Sequence, residues 1–538
     1  MNGADAIVKC LEEENVKYVF GYPGVAICPF YNSILDSDIK TVLVRTEQSA
    51  AHMASGLART TNGVGVCAVT SGPGATNLIT GIATAFADSI PLVCITGQVN
   101  SALLGSDVFQ EADITGAAES FVKYSYLVKN VNDIPRIMKE AFHIASTGRK
   151  GPVLIDVPFD IQNATIKNFK YPEEVSMRTY KPTVKGNAMQ LKRMVSALEK
   201  AKRPLICVGG GVALSDASKE LIKFVENNNI PVVSTMMGIG AMPTNHPLYF
   251  GMVGNNGKPY ANKAMKECDT LLMVGARVAD RAVNQPDFLT ENKVLIHMDV
   301  DPAEIGKNCG PTIPIVGDAK AIFEELNKEV INADEPGWIA DLNEYKSTLV
   351  IKRNPNPDFV DPKAFIEYLS DKMDDNGIYV ADVGQNQIFS CAYHVVKNGK
   401  FLTSGGMGTM GYSIPAALGA KLSNKSKQVI AVCGDGSFQM SMCELATVKQ
   451  ENANVKIIIF KNKYLGMVRE YQHFSYKDNY SVVELNDYPN IELLAKAYDF
   501  DYSLVKDNSQ FSKIDSFLKS ENPGIMEVII DPYDVVKG

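Results

Sequence analysis

The sequence has no CxxC pair and no HExxH, and its six histidines never stand at a paired metal-binding spacing. A His/Cys zinc site is therefore not expected. Its ten cysteines are scattered, most of them inside apolar runs such as those holding Cys67, Cys94, Cys207 and Cys433. That usage fits a reducing compartment rather than a disulfide framework, and a cytoplasmic location is expected. No apolar run reaches the roughly 20 residues of a membrane span before Gly, Pro or a charge interrupts it, so no membrane partner is expected. The opening MNGADAIVKCLEEENVKYVF lacks a basic stretch ahead of an apolar core, so no signal peptide is expected. An excess of basic residues is missing too. The formal charge is −8 and the pI about 5.5, which argues against a nucleic-acid partner.

What is present is 538 residues, of which 46% are hydrophobic and 21% charged. That is too long for one core and suggests about three domains. Short apolar strands alternate with helical patterns throughout, which predicts an α/β protein of doubly wound parallel sheets. The first block runs over 1–165 and ends in the strand VLIDVP. A polar connector follows at about 163–187. The second block covers 188–330, with strands at LICVGGG, PVVS, TLLMVG and VLIHMDV. A polar, Pro-containing linker is expected within 332–362, and the third block is 363–538. Residues 44–97 and 401–462 read alike: strand, turn, small-residue helix, strand, Gly turn, helix, strand. The first and third blocks therefore look like two copies of one architecture with a different domain between them.

The third block holds VIAVCGDGSF, where an apolar strand runs straight into Gly434-Asp435-Gly436 and a helix begins at once. A carboxylate at a strand's C-terminal edge lies where open α/β sheets bind ligands. The helix start behind it suits a phosphate. One carboxylate and a diphosphate can share a Mg²⁺, which takes oxygen ligands. A second oxygen is available from Asn462, after the next strand VKIIIF. Alone, the pair reads equally well as a turn Asp and a turn Asn. In the first block, Glu47 follows the strand TVLVR at the start of a helix whose neighbours, Ala, Met and Gly, offer the carboxylate few partners.

The spacing from GDG to Asn462 resembles the thiamine diphosphate (ThDP) motif, with Lys461-Asn462 in place of the usual Asn-Asn. Nearly end to end, the chain resembles the acetolactate synthase (acetohydroxyacid synthase) catalytic-subunit family. The resemblance rests on YVFGYPG, RTEQSAAHMASGLAR, TSGPGATNLITGIATAFADSIPLVCITGQV, FQEADI, STGRKGPVLIDVP, GMVGNNGKPYAN, GARVADR, SGGMGTMGYSIPAALGA, GDGSFQMSMCELAT and YLGMVREY in that order.

The resemblance implies that the first and third blocks share the ThDP-binding fold, with an FAD-binding-like domain between them. It implies that Glu47 activates ThDP through the aminopyrimidine. Asp435, Asn462 and the Tyr464 carbonyl would hold Mg²⁺, with Gly436 and Ser437 beside the diphosphate. Gly24, Gly408, Met410, Met440 and Met467 would line the cofactor, and Phe109, Gln110 and Tyr471 would face substrate. FAD would be held by Arg149, Gly209, Gly210, Gly211, Thr235, Met236, Arg277, Arg281, Asp299, Gly317 and Asp318, in a mainly structural role.

The implied reaction decarboxylates pyruvate and joins the remaining two-carbon unit to pyruvate or 2-ketobutyrate, in branched-chain amino-acid biosynthesis. The implied assembly is a homodimer or homotetramer, with a small regulatory subunit as a possible partner. Alternatives are another ThDP-dependent lyase with a different acceptor, or a non-catalytic nucleotide-binding protein on the same fold. Departures from the family pattern stand at Val25, Phe159, Asn255-Asn256 and Tyr471.

Overall fold

A computed structural model describes residues 1–536 apart from 284, 329, 332, 334 and 350–354. It contains three six-stranded sheets in which every pairing is parallel. Strands buried on both faces need no polar alternation, which is why they read in sequence as continuous apolar runs. The first sheet holds β1 (Tyr18–Tyr22), β2 (Lys40–Leu43), β3 (Gly65–Val69), β4 (Leu92–Gln98), β5 (Tyr124–Leu127) and β6 (Val153–Pro158). The second holds β7 (Pro204–Val208), β8 (Val232–Ser234), β9 (Tyr249–Met252), β10 (Thr270–Val274), β11 (Val294–Asp299) and β12 (Ile313–Val316). The third holds β13 (Ile378–Ala381), β14 (Lys400–Thr403), β15 (Val429–Gly434), β16 (Val455–Lys461), β17 (Asp501–Val505) and β18 (Gly524–Ile529).

The strand orders test the expected internal duplication. The first sheet is ordered β2-β1-β3-β4-β6-β5, and the third, β14-β13-β15-β16-β18-β17, is the same order twelve strands on. The middle sheet differs: β12-β11-β10-β7-β8-β9. Read from its other edge, that is the doubly wound dinucleotide-binding order, which reverses between its first and fourth strands, here β7 and β10.

Within the expected linker region, Pro336–Thr348 forms a helix. It docks on the middle sheet through buried Trp338, whose Nε1 donates to the Pro204 carbonyl at 3.0 Å. Residues 332, 334 and 350–354 of that linker, and 329, 537 and 538 towards the ends of the second and third blocks, lie outside the described residues.

One apolar core spans the first and third sheets, from Phe20 and Val42 through Ala54 and Ala416 to Ile459 and Ile525. Its seam is a pair of small-residue helices, Glu47–Thr61 and Ser413–Ser423. They approach backbone to backbone. A Cβ added at Gly56 would lie 1.9 Å from the Ala416 carbonyl oxygen, and one at Gly419 would lie 1.9 Å from that of Met53. Neither backbone can retreat without moving its sheet, so the seam tolerates no added volume. Gly419→Val should therefore cost about 3 kcal/mol or more, at or beyond the upper end of ordinary overpacking. The measurement is the urea midpoint. Gly337→Ala serves as the control, because a Cβ at Gly337 meets nothing within 4 Å. Equal midpoints for the two variants would refute this view of the seam.

Candidate active site

In a doubly wound sheet, a ligand crevice opens where neighbouring strands leave in opposite directions. In the third sheet that point lies between β13 and β15. Strand β15 ends at Gly434 and the helix Asp435–Ser441 follows without a loop. Asp435 is thereby set on the crevice floor, 2% exposed. Its Oδ1 accepts the Gly436 N–H at 3.0 Å and its Oδ2 the Lys463 N–H at 2.6 Å. Burial still pushes its pKa up to about 7. A carboxylate desolvated to that degree is one that a bound cation would stabilise.

Strand β16 pairs with β15 and delivers Asn462 to the same edge. The Asn462 amide is fixed in direction: Oδ1 accepts the Tyr464 N–H at 2.9 Å and Nδ2 donates to Gln385 Oε1 at 3.2 Å. Asp435, Asn462 and Tyr464 line one cleft with Met410, Gly436, Ser437 and Met467. A carboxylate, an amide carbonyl and a backbone carbonyl form a hard oxygen set that suits Mg²⁺ rather than zinc. Among the described residues no group of three or more His, Cys, Asp or Glu side chains could hold a metal ion. A divalent ion here would take its remaining oxygens from a ligand or water. Lys461, standing where the ThDP motif has its first Asn, turns away: its ammonium pairs with Glu527 at 2.8 Å.

Two residues of this cleft, and a third beneath it, escaped the sequence reading. Gln385 and Asn386 line it from the helix after β13. Beneath them Asp382, fully buried, accepts the N–H groups of Gly411 at 2.9 Å and Ser413 at 2.7 Å. It thereby anchors the loop that carries Met410. The signal was Asp-Val-Gly-Gln-Asn-Gln directly after the apolar run IYVA.

The C-terminal edge of the first sheet gathers a second set. Glu47 is the first residue of its helix. Its Oε2 accepts from Asn77 Nδ2 at 3.1 Å. A Cβ at Gly74 would sit 3.3 Å from Glu47 Oε1, so that glycine keeps space beside the carboxyl. Thr70 adjoins: its hydroxyl is buried without a partner, and a Cβ at Gly24 would lie 2.6 Å from its side chain. Gln110, at φ +59°, packs against Gly72, and Phe109 beside it is 87% exposed.

None of these first-sheet residues lines the Asp435 cleft. Gly408 and Met440 also lie outside its lining. Gly408 has φ +70° with open space where a side chain would be, and Met440 is exposed beside Gly411. Tyr471 is exposed too, with its ring edge-on to Tyr476. Val25 is exposed and Phe159 partly so.

The middle sheet forms a separate cleft at its own reversal point, between β7 and β10. Gly210, Gly211, Thr235, Met236, Arg277, Arg281, Asp299, Gly317 and Asp318 all line it, and Arg149 enters from the first block. Its empty space is about 1350 Å³ with the open mouth included. Gly209 is not on the wall. A Cβ there would lie 2.2 Å from the Gly275 carbonyl oxygen, so this glycine lets the ends of β7 and β10 close together. The Arg149 guanidinium is held by Glu304 at 2.9 Å and Asp301 at 3.2 Å. Burial pushes the Asp299 pKa up to about 6. Asn256 lines the cleft, whereas Asn255 does not and is exposed.

Comparison with known proteins agrees with the three-sheet fold. Residues 1–117 match the N-terminal TPP binding domain of thiamine pyrophosphate enzymes, 191–326 their central domain and 382–528 their C-terminal TPP binding domain; thiamine pyrophosphate is ThDP. A probable acetolactate synthase large subunit of Methanocaldococcus jannaschii is 41% identical, covering 100% of this chain and 93% of that protein. An acetolactate synthase large subunit of Haemophilus influenzae is 42% identical over 93% of this chain and 88% of its own length. One of Corynebacterium glutamicum is 44% identical over 90% and 79%. At that identity and coverage, the chain belongs to the acetolactate synthase large-subunit family of thiamine diphosphate enzymes.

Proposed function

We propose that this chain is a 2-ketoacid carboligase. It decarboxylates pyruvate and joins the two-carbon remainder to a second 2-ketoacid, giving 2-acetolactate from pyruvate or 2-aceto-2-hydroxybutyrate from 2-ketobutyrate. The observation that supports this is the cleft at the third sheet's reversal point, which Asp435, Asn462 and Tyr464 line together. ThDP, when bound, supplies the electron sink for the carbanion that decarboxylation leaves. The protein supplies the rest. Asp435, the Asn462 amide oxygen and the Tyr464 carbonyl hold Mg²⁺ and through it the diphosphate. Gly436 and Ser437 open the helix beside it, and Met410 and Met467 exclude water. Glu47, oriented by Asn77, would hold a proton for exchange with the aminopyrimidine when ThDP is bound. Gln110 donates to the oxyanion that forms as a ketoacid adds. Product analysis with pyruvate, alone and with 2-ketobutyrate, tests the reading; CO₂ release without either ligated product would overturn it.

The two half-sites lie on different sheet edges, and the Asp435 cleft has no lining residue from the first sheet's block. That supports a homodimer, or a homotetramer built from it, in which one copy's Glu47, Gln110 and Phe109 face its partner's metal half. Gly24, Gly408, Met440 and Tyr471, none of which lines the metal cleft, would border the completed site. The relatives are called large subunits, which supports a small regulatory partner. The middle cleft supports FAD: it sits at the reversal point of a dinucleotide-type sheet, with Asp299 placed to accept from hydroxyls and Arg277 and Arg281 on its wall.

Three outcomes are expected. Glu47→Gln, which cannot share the proton, should keep ThDP bound while turnover falls at least about 10²-fold; a near-normal rate sinks the assignment. Asp435→Ala should lose ThDP in equilibrium dialysis, and EDTA should abolish activity reversibly. Since the carboxyl titrates at about 7 and Mg²⁺ needs it ionised, apparent Mg²⁺ affinity should fall about tenfold per pH unit below that value and level off above it. Unchanged dialysis in the variant would contradict the metal bridge. The purified protein should show an oxidised-flavin spectrum and release FAD on denaturation. A colourless protein that gains no thermal stability from added FAD would refute the flavin assignment.

A further inference from the structure

Glu444 is a buried acid with no part in the chemistry described so far. It is 0% exposed and ends the segment that begins at Asp435: the helix Asp435–Ser441 followed by the short turn Met442–Glu444. Its Oε1 reaches across to the first block and accepts two backbone N–H groups, from Arg45 at 2.9 Å and Thr46 at 3.1 Å. Its Oε2 accepts the Thr447 hydroxyl at 2.7 Å. Burial pushes its pKa up, and these donors, with the Ser49 hydroxyl, pull it back.

Arg45 and Thr46 are the two residues immediately before Glu47. The helix that Glu47 opens has no side-chain cap of its own. Thr46 occupies the cap position, but its hydroxyl lies against Ser49 Oγ at 2.8 Å rather than a backbone N–H. The anion that complements this helix start therefore comes from another sheet, about 400 residues away in sequence. Negative charge is favoured at a helix N-terminus, and hydrogen bonds to a charged acceptor are the stronger kind.

We propose that Glu444 is the positioning residue for Glu47. By gripping the two N–H groups ahead of the helix, it fixes the backbone from which the Glu47 side chain leaves, and so the line along which that carboxyl meets the aminopyrimidine. The inference rests on the reading of Glu47 given above. It also makes one continuous segment responsible for both halves of the chemistry: Asp435 at its start holds the metal, and Glu444 at its end aims the proton-sharing carboxyl. A misplacement of about 1 Å in such a group costs about 10²-fold in rate.

The test uses the full-length holoenzyme and four readouts: the hydrogen–deuterium exchange rate at C2 of bound ThDP, ThDP affinity, kcat and KM for pyruvate, and amide exchange at Arg45 and Thr46. Glu444→Ala should slow C2 exchange and kcat together by about 100-fold. KM and ThDP affinity should change less than about threefold, because neither binding surface is touched. Amide protection at Arg45 and Thr46 should be lost. Glu444→Gln keeps an acceptor oxygen without the charge and should fall between, at about five- to tenfold on C2 exchange. A folded Glu444→Ala with wild-type C2 exchange overturns the proposal, as does a loss confined to ThDP affinity. If Glu444→Ala does not fold, Glu444→Gln decides alone: slowed C2 exchange at unchanged KM supports the proposal, and wild-type exchange overturns it. Glu47→Gln run alongside separates the two claims. Wild-type C2 exchange in that variant means the role given to Glu47 is wrong, whereas lost amide protection in the Glu444 variants still reports the grip on the helix start.

Discussion

The backbone-to-backbone approach of Glu47–Thr61 and Ser413–Ser423 is the contact on which the rest of this molecule depends. Gly56 and Gly419 each sit under the other helix's carbonyls, which leaves no room to slide. Because the two helices belong to different sheets, this seam turns two copies of one architecture into a single core. It also fixes the distance between their C-terminal edges. The hydrogen bonds from Arg45 and Thr46 to Glu444 lie across the same junction, and so does the ring of Tyr412 against His52. Polar contacts of that kind need placement to within a few tenths of an ångström, and a glycine seam between rigid helices can provide it.

Four of the buried acids make an instructive comparison. Asp382 and Asp435 in the third block and Asp299 in the middle one stand at or just beyond the C-terminal ends of parallel strands, Glu444 closes the helical segment that follows β15, and all are at least nine-tenths buried. Each accepts from backbone N–H groups. Burial raises the pKa of all four. Two use their acceptor capacity on the chain itself: Asp382 secures the Met410 loop, and Glu444 the start of the Glu47 helix. The other two, Asp435 and Asp299, open onto clefts. The difference separates acids that set geometry from acids that await a ligand, although their burial is nearly the same.

Much of this was legible in the sequence, for physical reasons. Strands covered on both faces must be apolar throughout, so VIAVCG and VKIIIF stood out, and the glycine-flanked Asp435 between strand and helix marked the crevice. The matching first and third blocks were legible because the glycine seam imposes small residues on both helices. What stayed hidden depends on partners distant in sequence. Glu444, in the apolar-looking CELAT, reads as an ordinary helical Glu, because the N–H groups it serves belong to residues 45 and 46. Asn77 was read only as part of a long motif, since its role exists once the helix Pro73–Asp88 lies beside Glu47. Gly209 was placed with the cofactor, whereas its missing side chain lets β7 and β10 close up. The helix Pro336–Thr348 was hidden because only Trp338 and Leu342 of it are buried in an otherwise polar run.

A single chain carries both halves of the proposed ThDP site, yet they open on different edges. Within one copy, the glycine seam ties the two sheets into one core, and the proposed dimer would bring one copy's first-sheet edge to its partner's third. The same seam keeps Asp435 and Glu47 in fixed relation inside each chain. In such a pair, the segment Asp435–Glu444 would hold the metal of one site while gripping the helix that serves the other. Rigidity within the chain and completion between chains are then two results of one packing contact.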